Sequence, residues 1–340
     1  MKLHIKSILY ITLCCVITQH AAAKEEELNV YSARKEAYIK PLLDQFAEQH
    51  NIQVNLVTSK ADALIQRLNN EGKNSPADVF ITTDAGRLHR AKDADLLQAI
   101  TNESVIQLSP EQYRDPSGYW LGLSVRARVI VYSNERVQAS ELSTYENLTD
   151  PKWENRICVR SSNNIYNQSL VASFIAHHGI KATQQWANDF VANFARKPQG
   201  GDRDQIKAVA AGQCDIAVVN SYYLGNMING SDEEKAAASK VKLFWPNQND
   251  RGTHVNISGI GITKHADNIE LANQLITFLF TKESQAWYGD VNLEFPVINN
   301  IKLNQTLENW GPFKADTLNL GKLGELNSIA VQIMDIAKWR

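Results

Sequence analysis

The residues in this chain best suited to chemistry are tyrosines set in polar turns. Asn220-Ser221-Tyr222-Tyr223-Leu224-Gly225 follows directly on an apolar, strand-like run that ends at Val219. In a continuing strand, adjacent side chains point to opposite faces, and two neighbouring phenols could not reach one point; at a strand-to-helix turn they can. A third tyrosine, Tyr166, stands in Ser161-Ser162-Asn163-Asn164-Ile165-Tyr166-Asn167, another polar turn between a strand and a helix start. Such turns present backbone N–H groups and hydroxyls that suit an anion, with Ser162 and Asn163 as the candidates here. Phenolates are hard oxygen donors preferred by hard, highly charged cations. Because a free phenol has a pKa of about 10, several phenolates at neutral pH need a strongly charged metal to displace their protons. Ferric ion meets that demand, whereas calcium and magnesium are better served by carboxylates and carbonyls. Aromatics that merely pack two loops are the plain alternative. The two turns carry weight jointly, because both are expected at strand ends of one α/β unit.

The elements that must position these turns are legible in the pattern of apolar residues. Leu28 to Ser32 reads as a strand, and Ile39, Leu42, Leu43, Phe46 and Ala47 then fall on one helical face. Ile52, Val54 and Leu56 alternate as a second strand, Ala61 to Asn70 forms a helix closed by Gly72, and Ala77 to Thr82 is a third strand. This alternation predicts a parallel sheet covered by helices, with Tyr31 to Arg34 and Thr82 to Asp84 at the mouth of a site beyond the strand ends. Trp120 to Ser133 holds two strand-like runs separated by Arg126-Ala127-Arg128, a crossing between lobes. A second α/β unit follows: strand Ile157 to Val159, helices near Gln168 to His177 and Ala182 to Phe194, a helix from Asp204 to Ala211, and strand Asp215 to Val219. Asp202 and Gln205 have capping-box spacing at the start of that third helix, and Gly212 closes it. Ile257 to Thr263 and Ile269 to Phe280 return as strand and helix, and Leu323 to Lys338 is helical by pattern. The expected division is 24–124 plus 251–300 for an N-terminal lobe and 125–250 plus 301–340 for a C-terminal lobe, joined by hinge strands.

Residues 1–23 carry Lys2 and Lys6, the apolar run Ile8 to Ile17 and the small-residue end Ala21-Ala22-Ala23, the pattern of a cleavable secretory leader. The run is shorter than the roughly 20 residues needed to span a bilayer. Neither Cys14 nor Cys15 is preceded by the small residues that lipid attachment requires. Without the leader and its two lysines, 33 basic and 37 acidic residues remain, a net charge of −4 that offers nucleic acid no basic field. Cys158 and Cys214 are then an even pair in an oxidising compartment, which favours one disulfide between them over two buried thiols. No CxxC, HExxH, GxSxG or phosphate-binding loop is present.

Tyr31-Ser32-Ala33-Arg34, Asn74-Ser75-Pro76-Ala77-Asp78-Val79, Arg126-Ala127-Arg128, the stretch Ala195-Arg196-Lys197-Pro198-Gln199-Gly200-Gly201-Asp202-Arg203-Asp204, and Asn220-Ser221-Tyr222-Tyr223 occur together in this order. In this the chain resembles the ferric-ion-binding proteins of bacterial ABC importers, over nearly all of residues 24–340. The resemblance implies an α/β, two-lobed periplasmic-binding-protein fold of class II, with Fe3+ held by Tyr166, Tyr222 and Tyr223. It implies a monomer in the periplasm that hands its cargo to an ABC importer permease in the inner membrane. Some members add a histidine and a glutamate from the first lobe, but Lys35 and Thr83 stand at those positions here. In relatives of this pattern a synergistic anion, carbonate by expectation, completes the metal's shell. Arg34 and Arg126 are the candidate clamps, since guanidinium forks match carboxylate-like oxygens. Arg128 rivals Arg126, alternation along the strand being expected to let only one of the two face the cleft. Tyr31 is an accessory candidate, either as a further ligand or as support for the anion, with a buried strand-end tyrosine as the equal alternative.

His177-His178-Gly179 reads as a helix C-terminus, and His254, lacking a spaced partner, does not read as a ligand. Two rival functions stay open at this level. One keeps the fold and makes the cargo an organic or inorganic oxyanion clamped by Arg34 and Arg126. The other is an exported enzyme, which the lack of a recognisable nucleophile–base or paired-acid arrangement disfavours.

Overall fold

The computed structural model describes residues 26–340; the expected leader over 1–23 lies outside the described residues. Among the described residues ten strands run in chain order: β1 Glu27–Ser32, β2 Gln53–Thr58, β3 Val79–Thr83, β4 Leu97–Gln98, β5 Leu121–Ser133, β6 Ile157–Cys158, β7 Ile216–Asn220, β8 Val241–Phe244, β9 Val255–Thr263 and β10 Phe295–Pro296. Among them lie α1 Lys40–His50, α2 Ala61–Glu71, α3 Ala85–Asp93, α4 Glu103–Ile106, α5 Ile165–Ala192, α6 Asp202–Ala210, α7 Ser221–Ile228, α8 Asp232–Ala238, α9 Ile269–Leu279, α10 Lys282–Asn292, α11 Gln305–Asn309, α12 Gly321–Glu325 and α13 Asn327–Ile336.

The order β2-β1-β3-β9-β5-β7-β6 contains two sheets that share β5. β1 is parallel to β2 and β3, as the alternation of strands and helices predicts, and β9 joins β3 antiparallel as the chain returns. The two runs expected between Trp120 and Ser133 form one strand of 13 residues, buried along its whole length. Its first half pairs with β9, down to Arg126 opposite Asn256 and Ala127 opposite Val255. From Arg128, opposite Asn220, it pairs with β7 instead. The changeover between sheets therefore falls at Ala127, inside the charged triplet that marked the crossing. Tyr145 pins it: its buried hydroxyl donates to the Arg128 carbonyl and accepts from the His254 backbone N–H at 3.2 Å.

Two details differ from the pattern reading. The helix expected from Asp204 begins at Asp202, because Gly201 is the cap and its N–H is taken by the Asp204 carboxylate at 2.6 Å. Asp202 is thereby freed from capping and, fully buried, pairs with Arg128 at 3.2 Å. The helices expected on either side of Gly179 form one stretch, α5, broken at Gly179, whose φ of 78° is left-handed and costs glycine little. The C-terminal segment touches both lobes: Leu320 N–H bonds to the Gln112 carbonyl at 3.0 Å, and the Trp339 indole donates to the Arg160 carbonyl at 2.9 Å.

The Cys158–Cys214 disulfide joins the end of β6 to the approach of β7. These adjacent parallel strands feed the turns that carry Tyr166 and Tyr222. The crosslink spans 56 residues, and closing a loop of that size removes about 4 kcal/mol of denatured-chain entropy. Cys158→Ser/Cys214→Ser is expected to lower the urea midpoint accordingly, with an unchanged far-UV spectrum at low denaturant. Equal midpoints would remove the disulfide from the stability of this lobe.

Candidate metal centre

Tyr166 is the second residue of α5, and Tyr222 and Tyr223 lie in the first turn of α7. Consecutive helical residues are rotated by about 100°, so both phenols of the pair can lean to the same side, and their ring centroids are 4.3 Å apart. The Tyr222 hydroxyl reaches that of Tyr166 at 3.5 Å. Gly225 lets α7 pack against Leu293, next to Glu294: a Cβ there would stand 2.6 Å from the Leu293 side chain.

The three phenols line one cavity of about 150 Å3, shared with Arg126, Arg203 and Asn226. Arg34, Lys35, Tyr38, Thr83 and Glu294 close its other side. Arg126 stands 5.2 Å from the centroid of the Tyr222 ring and Arg203 5.8 Å from that of Tyr223. Arg128 and Arg160 stand 6.0 and 5.7 Å from that of Tyr166.

The phenols differ in how readily they ionise. Burial raises Tyr166, but Arg126, the hydrogen bond from Tyr222 and Arg87 outweigh it and hold this phenol below the usual range. Burial and the neighbouring Tyr166 and Tyr223 push Tyr222 well up, and burial with Tyr166 and Asp202 pushes Tyr223 to about 12. Like charges this close oppose one another, so the cluster ionises fully only when a cation of high charge sits among the oxygens. Among the described residues no group of three or more His, Cys, Asp and Glu side chains is arranged to hold a metal ion.

Several expectations need correction. Tyr31 does not reach the cavity; buried under α2, its hydroxyl donates to Glu71 at 3.0 Å and its ring lies beneath Arg67. The phenol that the first lobe contributes is Tyr38, in the turn that follows β1. The rule that ligands bind beyond strand ends could have found it, but the helical periodicity drew attention to Ile39 onward. Ser162 and Asn163 are also outside. The Ser162 N–H bonds to the Trp339 carbonyl at 3.2 Å, and the exposed Asn163 accepts from the Ser161 hydroxyl at 2.6 Å, so the turn and the C-terminus consume those polar groups.

Arg126 and Arg128, two apart on a strand, share a face, so alternation does not separate them. Both indeed stand against the tyrosines. They differ in partners: Arg128 is tied to Asp202 and, at 2.6 Å, to Asn167, whereas Arg126 lines the cavity and pairs with Glu294 at 2.9 Å. Glu294 and Arg203 are site residues that sequence reasoning missed. A lone acid between Leu293 and Phe295 carries no spacing signal, although a carboxylate flanked by two apolar residues that both prove buried is one that needs partners.

Asp84, expected at the site mouth, caps α3 and accepts from Ser169 of α5 at 2.8 Å, a bond from one lobe to the other. His254 is buried, and desolvation pushes it down to about 3, so it stays neutral. His177 bonds to Asp316 and His178 to Glu146, away from the cavity.

Two α/β lobes joined by crossing strands, with a polar cavity at the strand ends between them, define a class II solute-binding protein. The chain belongs to the family of bacterial extracellular solute-binding proteins, whose model matches residues 74–318. It is 45% identical to iron uptake protein A1 of Synechocystis over 93% of this chain and 88% of that one. It is 25% identical to the major ferric iron-binding protein of Neisseria meningitidis serogroup B over 98% of this chain and 95% of that one. Among solved structures, the Trichodesmium protein IdiA (FutA) in complex with iron and citrate superposes with a TM-score of 0.90 at 47% identity, covering 92% of this chain and all of that one.

Proposed function

We propose that this protein captures ferric iron outside the cytoplasm and delivers it to an ABC importer permease in the inner membrane. The observation that carries the reading is the convergence of the Tyr166, Tyr222 and Tyr223 hydroxyls on one cavity, ringed by arginines and without a competing carboxylate–histidine site among the described residues. The names of the relatives, which describe iron uptake and ferric binding, support the same cargo. The protein acts as a monomer in the periplasm after removal of its leader, and it turns over no substrate.

The second lobe takes the metal first, because its three phenols are already grouped. Tyr38 meets the metal's exposed side as the first lobe swings over, and the closed state is favoured by contacts made only there. Positions left on the metal are open to water or, without being required for retention, to a small anion such as carbonate. That anion would enter on the Lys35 and Arg203 side, since the forks of Arg34 and Arg126 are already on Glu294.

Purified protein is expected to carry about one equivalent of iron, one ion for the one cluster of three phenols, and a visible phenolate-to-metal absorption that a ferric chelator removes. A colourless protein that binds no ferric iron would sink the proposal. The oxyanion reading would be favoured if the same preparation bound an oxyanion in the absence of metal.

A further inference from the structure

Arg34 and Arg126 are the pair on which a small exogenous anion was expected to sit, and both already hold a carboxylate. Glu294 is 3% exposed. Its Oε2 is 3.1 Å from Arg34 Nη1, and its Oε1 is 3.3 Å from Arg34 Nη2 and 2.9 Å from Arg126 Nη2. The Ser124 hydroxyl donates to Oε2, and the Ser258 hydroxyl, which accepts from both guanidiniums, donates to the same oxygen at 3.2 Å. Ser124 and Arg126 are two apart on β5, and Ser258 is the cross-strand partner of Ser124 on β9, so all three project from one face. The hinge strands themselves thus build the cradle, and Glu294 enters it just after the left-handed turn at Leu293 that ends α10.

We propose that Glu294 is a built-in anion: a tethered carboxylate that neutralises and orients Arg34 and Arg126 in the role an exogenous carbonate would otherwise fill. The inference rests on the ferric reading for its consequence, which is that iron retention needs no bicarbonate at this pair. A carboxylate on the chain loses no translational freedom on binding and is present at high effective concentration, so a free anion competes poorly with it. Two guanidiniums and one carboxylate leave one positive charge in the cradle. Arg126 presents it to the Tyr222 ring, close to where a phenolate forms. Glu294 is accordingly a positioning residue that acts through Arg126, and no bond from it to the metal is implied.

The test compares iron loss to a chelator in carbonate-free and bicarbonate buffers, for wild type and Glu294→Gln. Wild type is expected to lose iron at rates that agree within about twofold in the two buffers. Without its carboxylate, Glu294→Gln should lose iron on the order of tenfold faster in carbonate-free buffer, a charge-assisted contact being gone, and bicarbonate or formate should restore it. A second readout needs no metal: labelled bicarbonate titrated into the apo proteins should bind Glu294→Gln and not wild type. Because Glu294→Gln leaves two buried cations side by side, Arg34→Gln/Glu294→Gln supplies a variant with one charge of each sign removed. It should fold and bind bicarbonate more weakly than the single variant. A bicarbonate requirement in wild type, or a Glu294→Gln protein that matches wild type in both buffers, would overturn the proposal. Should wild type take up no ferric iron in either buffer, the ferric reading fails, and the apo titration alone still decides the assignment of Glu294.

Discussion

Tyr222→Phe/Tyr223→Phe is expected to abolish the phenolate–iron absorption and to weaken ferric binding by about 10^3-fold or more. Each lost charge-assisted contact contributes about 2–3 kcal/mol, and every 1.4 kcal/mol is about tenfold in affinity. The fold should survive, because the rings remain. Their tilted ring contact at 4.3 Å and the approach of Arg126 to the Tyr222 ring at 5.2 Å involve no hydroxyl. The Tyr222 hydroxyl donates only to Tyr166, itself inside the cluster, so no buried partner elsewhere is stranded by its removal. Loss of binding together with an unchanged thermal midpoint would locate the effect in coordination. Retention of the colour and affinity by the double variant would refute phenolate ligation.

The pH dependence of binding should be steep and of one sign. Tyr222 and Tyr223 are held above the ordinary phenol value, Tyr223 at about 12, so both carry protons at neutral pH in the metal-free protein. Ligation by both releases two protons, and each released proton makes the apparent association constant fall about tenfold per unit of acidification. Two give about a hundredfold per pH unit below the folded pKa values. Tyr166, held lower, adds a third proton only below its own pKa, which steepens the slope further towards acid. Titration against a competing chelator, corrected for the chelator's own protonation, measures the slope directly. A slope near zero would mean that neutral hydroxyls or other groups bind the cargo. The same sign provides a route for release, since any site that returns protons to these oxygens expels the metal.

The α/β alternation, the crossing at Arg126-Ala127-Arg128, the disulfide and the strand-to-helix turn under Tyr222 and Tyr223 were all legible in the chain. All but the disulfide, which followed from the count of cysteines left after the leader, are short-range patterns. Apolar periodicity of two or 3.6 residues identifies an element, and the residue at its end is placed by that element alone. Adjacent tyrosines in a helical first turn converge wherever the helix lies. Glu294 illustrates the opposite case. Its value depends on Ser124, 170 residues earlier, on Arg126, 168 earlier, and on Arg34, 260 earlier. No periodicity relates such positions, and only the return of the chain through β9 and β10 brings them together.

Long side chains were the least predictable for the same reason. Arg128 and Arg126 share a strand face, yet one turns to Asp202 and the other to Glu294, because each guanidinium follows the nearest buried carboxylate. Tyr31 and Tyr38 bracket one strand-end turn, yet Tyr31 is drawn under α2 to Glu71, and Tyr38 is left to face the cavity. By itself the sequence determined the elements and the phenols that two of them must present, through local sterics and burial. Only the tertiary structure decided which charges meet, because the free energy of a buried ion depends on partners that the linear order does not bring near.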